Sequence, residues 1–170
     1  SLAGDDAITF DTLTLLANQI LDLDGGAGSD TATVTGAIAT NGGDVIINVT
    51  DGVTLSGANA DIATGGGTLT VNADSNADGT GTFASDDVGS ATSTAGGTVT
   101  ITAADIELTG TIDAASGGVL LETSNAGATV DLGASGGSGQ FILTGAEFDQ
   151  IATTGQLTVG NSATGNVLIN

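Results

Sequence analysis

The sequence lacks eight amino-acid types altogether. It contains no lysine, arginine or histidine, and no cysteine, proline, methionine, tryptophan or tyrosine. Its 20 acidic side chains therefore have no basic side chain to pair with, and the formal net charge is −20. These absences exclude disulfides, cation–π contacts and side-chain salt bridges. The fold must rest on backbone hydrogen bonds and on the packing of aliphatic side chains.

The same absences narrow the chemistry that the chain can perform. Ser-His-Asp and Cys-His machinery, lysine and tyrosine bases, the P-loop lysine and the nitrogen or sulfur ligands of zinc are all missing. Only a pair of carboxylates could act, as in glycoside hydrolysis. β-Helical polysaccharide enzymes make this the enzyme alternative, but they generally bind sugars with aromatic and cationic residues that this chain lacks. We therefore expect the protein not to be an enzyme.

Charge and composition also limit the partners and the fold class. A net charge of −20 repels nucleic acid and anionic membranes, and no apolar run approaches the length of a membrane span. A hydrophobic content of 39% is too high for a disordered acidic tail. The 29 glycines and the short aliphatic bursts predict many short strands separated by tight turns. The expected class is all-β, with neither nucleic-acid binding nor membrane insertion.

Glycine clusters recur along the chain, at 42–43, 65–67, 96–97, 117–118 and 136–137, and an alternating segment follows most of them. The segments that follow the first three clusters superpose, so that their apolar residues share one face of a strand. The aligned positions are Val45, Ile47 and Val49, then Leu69, Val71 and Ala73, then Val99, Ile101 and Ala103. Val119, Leu121 and Thr123 continue this column, and Leu157 and Val159 resume it.

Two further strands accompany each of these segments. The second strand is represented by 53–57, 106–110 and 130–133, and the third by 112–114 and 61–63. About three short strands per coil of roughly twenty residues are typical of a parallel β-solenoid. An antiparallel β-sandwich has the same alternation and is the alternative fold.

The C-terminal stretch LTGAEFDQIATTGQLTVGNSATGNVLIN, residues 143–170, resembles a recurrent element of filamentous-haemagglutinin-like exoproteins. Residues 42–57 and 96–110 also look like that family's repeats, although the family often has a basic residue where Gln150 stands. The resemblance implies a right-handed parallel β-helix, export to the bacterial cell surface or medium, and a role in a stalk, adhesin shaft or fibre. The matching positions are Leu143, Thr144, Glu147, Phe148, Ile151, Leu157, Val159, Gly160, Asn161, Gly165 and Val167.

The stretch LDLDGGAGSD, residues 21–30, raises the question of calcium. A calcium β-roll needs consecutive copies of G-G-x-G-x-D-x-U-x, and only one copy occurs here, so we interpret the stretch as a glycine bend between two strands. A lone calcium site remains an alternative, because Asp22, Asp24 and Asp30 could supply hard oxygen ligands. Asp86 with Asp87, and Asp74 with Asp78, are further candidates.

The predicted role is structural. We expect residues 1–170 to form a single β-solenoid segment, one repeat or fragment of a longer extracellular chain. Its partners are then copies of itself or adjacent repeats of the same chain, stacked end to end through open strand edges. Residues 74–95 are predicted to form a long protruding loop. The alternative function is an adhesin module that recognises a surface glycan or protein through this loop.

Overall fold

The structure is a computed structural model, and it describes residues 2–133 and 140–170. These residues form 22 β-strands and one four-residue helix, α1 (Gly145–Phe148). Every strand pair in these residues is parallel. The predicted all-β class with stacked parallel strands is confirmed, and the antiparallel alternative is wrong.

Over residues 7–123 the chain passes through three parallel sheets in turn, and we call one such passage a coil. Strands are numbered in chain order. The first sheet contains β2 (Ala7–Phe10), β6 (Thr31–Val34), β9 (Val53–Leu55), β12 (Thr82–Ser85) and β15 (Asp105–Leu108). The second contains β3 (Leu13–Thr14), β7 (Ile38–Ala39), β10 (Asp61–Ala63), β13 (Ala91–Ser93), β16 (Thr111–Ala115) and β20 (Ile151–Thr153). The third contains β4 (Leu21–Asp24), β8 (Val45–Asn48), β11 (Leu69–Asn72), β14 (Val99–Ala103), β17 (Val119–Thr123) and β21 (Leu157–Val159).

The interior consists of columns of equivalent residues, one from each coil. In the third sheet Leu69 pairs with Val45 on one side and with Val99 on the other, as the alignment of glycine-led segments predicts. In the first sheet Phe83 lies between Val53 and Ile106, and all three are fully buried. Each such side chain contributes about 1.5–3 kcal/mol when it leaves water.

Glycine recurs because the chain is tightly packed where the second sheet turns into the third. A Cβ atom at Gly97 would collide with the carbonyl oxygen of Gly67 in the coil below, and one at Gly117 would collide with that of Gly97. A buried threonine closes the same turn, since Thr64 Oγ1 donates to Gly67 O at 2.6 Å and Thr94 Oγ1 donates to Gly97 O at 2.5 Å. The ladder of crowded glycines comprises Gly43, Gly67, Gly97, Gly117 and Gly155. The predicted pair at 136–137 lies outside the described residues.

The strand order changes after β17. The remaining strands are β18 (Val130–Gly133), β19 (Phe141–Thr144) and β22 (Val167–Ile169), and they form a sheet in the order β19-β18-β22. β19 also lies beside β15, and the Ile142 amide of β19 donates a hydrogen bond to the side chain of Asp105 in β15. The later strand β19 is therefore closer to β15 than the earlier strand β18 is.

The loop predicted over residues 74–95 is shorter in the structure. Strands β12 and β13 lie inside this range, and Phe83 is part of the core. The segments that connect these strands to their neighbours are residues 73–81 and 86–90. At the other end of the chain, β1 (Leu2–Ala3) pairs with β5 (Gly26–Ala27). In the described part of the chain, no helix is long and apolar enough to cross a membrane.

Candidate functional site

Acidic residues concentrate at the corner where the third sheet passes into the first, which we call the acidic corner (residues 25–30, 49–52 and 73–81). Asp30 and Asp74 are both buried here, at 0% and 1% exposure. Inward-facing carboxylates are unusual because a charge is costly to remove from water without a partner. These two buried carboxylates make the corner a candidate functional site.

The structure separates the three aspartates predicted to bind calcium. Asp22 and Asp24 lie on the exposed outer face of β4, whereas Asp30 is buried at the start of β6. Asp24 Oδ1 accepts a hydrogen bond from Gly26 N at 2.9 Å, which stabilises the turn. Across residues 2–133 and 140–170, no three acidic residues converge as a metal-binding group. The stretch bends between β4 and β6, as predicted, and the two-residue strand β5 lies within the bend.

The second predicted pair, Asp74 and Asp78, does come together. Asp74 Oδ1 accepts from Asp78 N at 3.2 Å, and Asp74 Oδ2 accepts from Gly79 N at 3.0 Å and from Ser124 Oγ at 2.5 Å. The exposed Asp78 accepts from the Thr80 side chain at 2.6 Å, and this bond lowers the pKa of Asp78. These carboxylates hold the 75–80 turn together through bonds to the chain itself.

Asp86 and Asp87 serve similar local roles on the next turn. Asp86 Oδ1 accepts from Gly57 N at 3.1 Å, and Asp87 Oδ1 accepts from Gly89 N at 2.8 Å. The pair therefore points its oxygens at two different backbone amides.

Two carboxylates that the sequence did not single out as candidate ligands lie where β15 meets β19, although Glu147 is one of the positions of the family resemblance. Ile142 N donates to Asp105 Oδ1 at 2.9 Å, and Leu108 N donates to Glu147 Oε1 at 3.1 Å. Burial raises the pKa of Asp105, and the nearby charges of Glu147 and Glu107 raise it further, against lowering by the Ile142 and Ile106 amides. In the described residues no backbone ladder joins these two strands. The two side chains supply the acceptors that a ladder would otherwise provide.

Asp6 is a third residue that the sequence did not single out. Its amide donates to Asp30 Oδ1 at 3.0 Å, and its own Oδ2 is buried without a hydrogen-bond partner. Asp30 Oδ2 is also buried without a hydrogen-bond partner. The sequence did contain a signal for this position. Asp6 lies two residues before Ile8, as Asp30 lies two residues before Ala32, so by the two-residue period of a strand both aspartates should face inward.

A shallow polar groove runs across the outer face of the first sheet. Asp51 and Glu107 lie along it, and Thr80 Oγ1 donates to Asp51 Oδ1 at 3.2 Å at its rim. The groove is lined mainly by hydroxyl groups, those of Thr31, Thr33, Thr54, Thr80 and Thr82.

Comparison with protein families, curated proteins and solved structures yields no match to this chain.

Proposed function

We propose that this chain is a segment of an extracellular β-solenoid shaft, a right-handed parallel β-helix that stacks end to end with further coils. One observation carries the proposal: the second and third sheets each have an unpaired strand edge at both ends of the stack, at β3 and β20 in the second sheet and at β4 and β21 in the third. β4 begins the third sheet and β21 ends it, and Leu21 and Leu157 belong to one inward column. A further coil placed on either edge could pair with the edge strand in the same register that neighbouring coils use within the stack.

The backbone of β21 is oriented to accept such a coil. Gly160 N donates to Leu121 O at 2.8 Å, and Gln156 O accepts from Val119 N at 2.8 Å. Because hydrogen-bonding direction alternates along a strand, Leu157 and Val159 direct their amides and carbonyls away from β17. Unpaired edge groups of this kind recruit another strand.

Apolar exposure supports the same proposal. Leu16 and Ile20, in the first coil, are 75% and 58% exposed, and Ile169 in β22 is 83% exposed. These side chains are candidates for burial beneath a further coil.

Charge favours a head-to-tail joint. Residues 151–170 contain no aspartate or glutamate, whereas residues 1–30 contain Asp5, Asp6, Asp11, Asp22, Asp24 and Asp30. Joining two N-terminal ends would bring two acidic surfaces together, which repel each other. Joining an N-terminal end to a C-terminal end places acidic side chains against neutral ones.

The resemblance to filamentous-haemagglutinin-like exoproteins supports the extracellular part of the proposal. Stacked repeats that contact only their neighbours are well suited to long shafts, because each added coil lengthens the rod without a new kind of contact. Six strands of the third sheet span roughly 24 Å at the usual inter-strand spacing.

A tandem chain of two copies joined Asn170 to Ser1 tests the proposal. We expect one cooperative unfolding transition with a midpoint above that of a single copy, and a rod of twice the length by small-angle scattering. Ile169→Asp in the first copy should split the transition in two. Val88→Asp is the matched control, because Val88 is 80% exposed but lies in a turn of the fourth coil. Two independent transitions in the unmodified tandem would contradict end-to-end stacking.

The hydroxyl-lined groove favours a second candidate function, the binding of a surface glycan. Threonine hydroxyls donate and accept hydrogen bonds, as sugar hydroxyls do. Binding on a glycan array that is lost in Thr33→Val with Thr54→Val, at unchanged thermal stability, would support this function. Equal binding by the variant would assign any adhesion to another surface.

A further inference from the structure

Asp6 and Asp30 occupy equivalent positions in the first and second coils. Ala7 pairs with Thr31, and Thr31 N donates to Asp6 O at 2.9 Å, so the two aspartates lie one above the other. Both precede inward-facing residues by two positions, and Asp30 is fully buried. The two residues therefore lie immediately before adjacent strands, one strand spacing of about 4.8 Å apart, and the Asp30 side chain reaches down to the Asp6 amide.

Each of these carboxylates has an oxygen that nothing in the described chain satisfies. Asp30 Oδ1 accepts from Asp6 N, but Asp30 Oδ2 and Asp6 Oδ2 are both buried without a hydrogen-bond partner. A buried carboxylate oxygen without a hydrogen bond is costly to remove from water, and a neighbouring like charge adds to that cost.

The sequence contains no side chain that could neutralise the pair, since it has no lysine, arginine or histidine. A compensating positive charge must therefore come from something other than a side chain of this protein. Asp74, the other buried carboxylate of the acidic corner, differs from this pair because both of its oxygens accept hydrogen bonds.

We propose that Asp6 and Asp30 bind one calcium ion between the first two coils. Carboxylate oxygens are hard ligands that suit Ca²⁺, and backbone carbonyls and water complete its shell in many proteins. Ca²⁺ also tolerates irregular geometry, whereas Mg²⁺ demands a near-octahedral shell and keeps several waters. The site differs from the set expected from the sequence, because it includes Asp6 and excludes the exposed Asp22 and Asp24. It does not depend on the proposed shaft function.

The test is calorimetric titration of the metal-free 170-residue chain with CaCl₂, alongside its melting temperature at matched ionic strength. We expect one saturable site and a melting temperature that rises with Ca²⁺ more than with an equivalent amount of NaCl. Asp30→Asn is isosteric and keeps an acceptor for Asp6 N, yet it should weaken binding by at least about tenfold. Asp6→Asn should do the same.

Asp22→Asn is the control, because it makes the same charge change on an exposed residue without a hydrogen bond to lose. It should leave the affinity for Ca²⁺ unchanged. Equal binding by the Asp30→Asn and unmodified chains would overturn the proposal and assign the ion to diffuse surface attraction. An unmodified chain whose melting temperature rises no more with Ca²⁺ than with NaCl at matched ionic strength would also overturn it.

Discussion

The Asp74 carboxylate accepts a hydrogen bond from the Ser124 hydroxyl across an intervening coil, with 2.5 Å between Oδ2 and Oγ. The contact forms because the fourth coil has almost no corner: Ala104 is the only residue between β14 and β15. The long corner after β11 and the corner after β17 therefore meet over it. One buried carboxylate therefore links the corner that follows the third coil to the corner that follows the fifth.

Replacing Asp74 should destabilise the protein strongly. Asp74→Ala removes the acceptor from Asp78 N, Gly79 N and Ser124 Oγ, so we expect the free energy of unfolding to fall by at least about 2 kcal/mol. Urea denaturation measures this change. Asp22→Ala removes the same charge from an exposed position and should have little effect. Equal urea midpoints for the two variants would show that the network contributes nothing.

Neighbouring glycines at the third-sheet entrance should respond differently to alanine. A Cβ at Gly117 would collide with the Gly97 carbonyl oxygen, whereas one at Gly118 would make an ordinary 3.4 Å contact with Gln156 O. We expect Gly117→Ala to cost about 1–3 kcal/mol and Gly118→Ala to be nearly neutral. Thermal unfolding of the pair checks the prediction. Similar losses of stability in both variants would mean that backbone entropy, and not crowding by the neighbouring carbonyl, determines the effect of alanine at these positions.

Two buried threonines should respond oppositely to valine. Thr92 lies in a column between Ile62 and Ile112, and its hydroxyl is buried without a partner. Thr92→Val should therefore stabilise the protein by about 1 kcal/mol. Thr64→Val takes the donor away from Gly67 O and should destabilise it by about 1 kcal/mol or more. Chemical denaturation of both variants gives the sign of the change in the free energy of unfolding. A less stable Thr92→Val variant would contradict the absence of a hydrogen-bond partner for the Thr92 hydroxyl.

Stability should increase as pH falls toward 4, in part through Asp105. Burial raises the pKa of this carboxyl in the folded protein above its ordinary value. The folded state therefore binds the proton more tightly than the unfolded state does. This contribution is fully present below the ordinary aspartate pKa and is lost as pH rises through the raised value.

Asp105→Asn tests the assignment, since its amide oxygen can still accept from Ile142 N. The unfolding midpoint of the variant should depend less on pH than that of the unmodified chain, although both retain the general relief of charge repulsion. Asp78→Asn is the opposite control, because the pKa of Asp78 is lowered. Identical pH profiles for Asp105→Asn and the unmodified chain would contradict the role of Asp105.

Local periodicity was sufficient to predict most of the stack. The column through Val45, Leu69 and Val99 follows from the two-residue period of strands and from crowding that only glycine tolerates. Strand β12 was missed because Phe83 stands among polar and glycine residues typical of loops. Burial of the single aromatic side chain of Phe83 in the core nevertheless accompanies strand formation in this segment.

The candidate calcium ligands were harder to predict because inward and outward phase does not persist through a bend. Asp24 and Asp30 have the same parity, but Gly26 and Gly28 between them have positive φ angles of 91° and 137°. The bend that these angles produce interrupts the inward–outward alternation of side chains, so Asp24 faces outward and Asp30 faces inward. The exchanged positions of β18 and β19 carry no local signal, because which strand lies beside β15 is decided by long-range packing.

That exchange affects the order in which the protein can fold. As the chain emerges from the ribosome, each coil up to β17 finds its finished template already in place. β18 emerges next, but the strand that separates it from β15 is β19, which has yet to be made. We therefore expect β18, β19 and β22 to assemble after the first five coils, in a separate and slower kinetic phase.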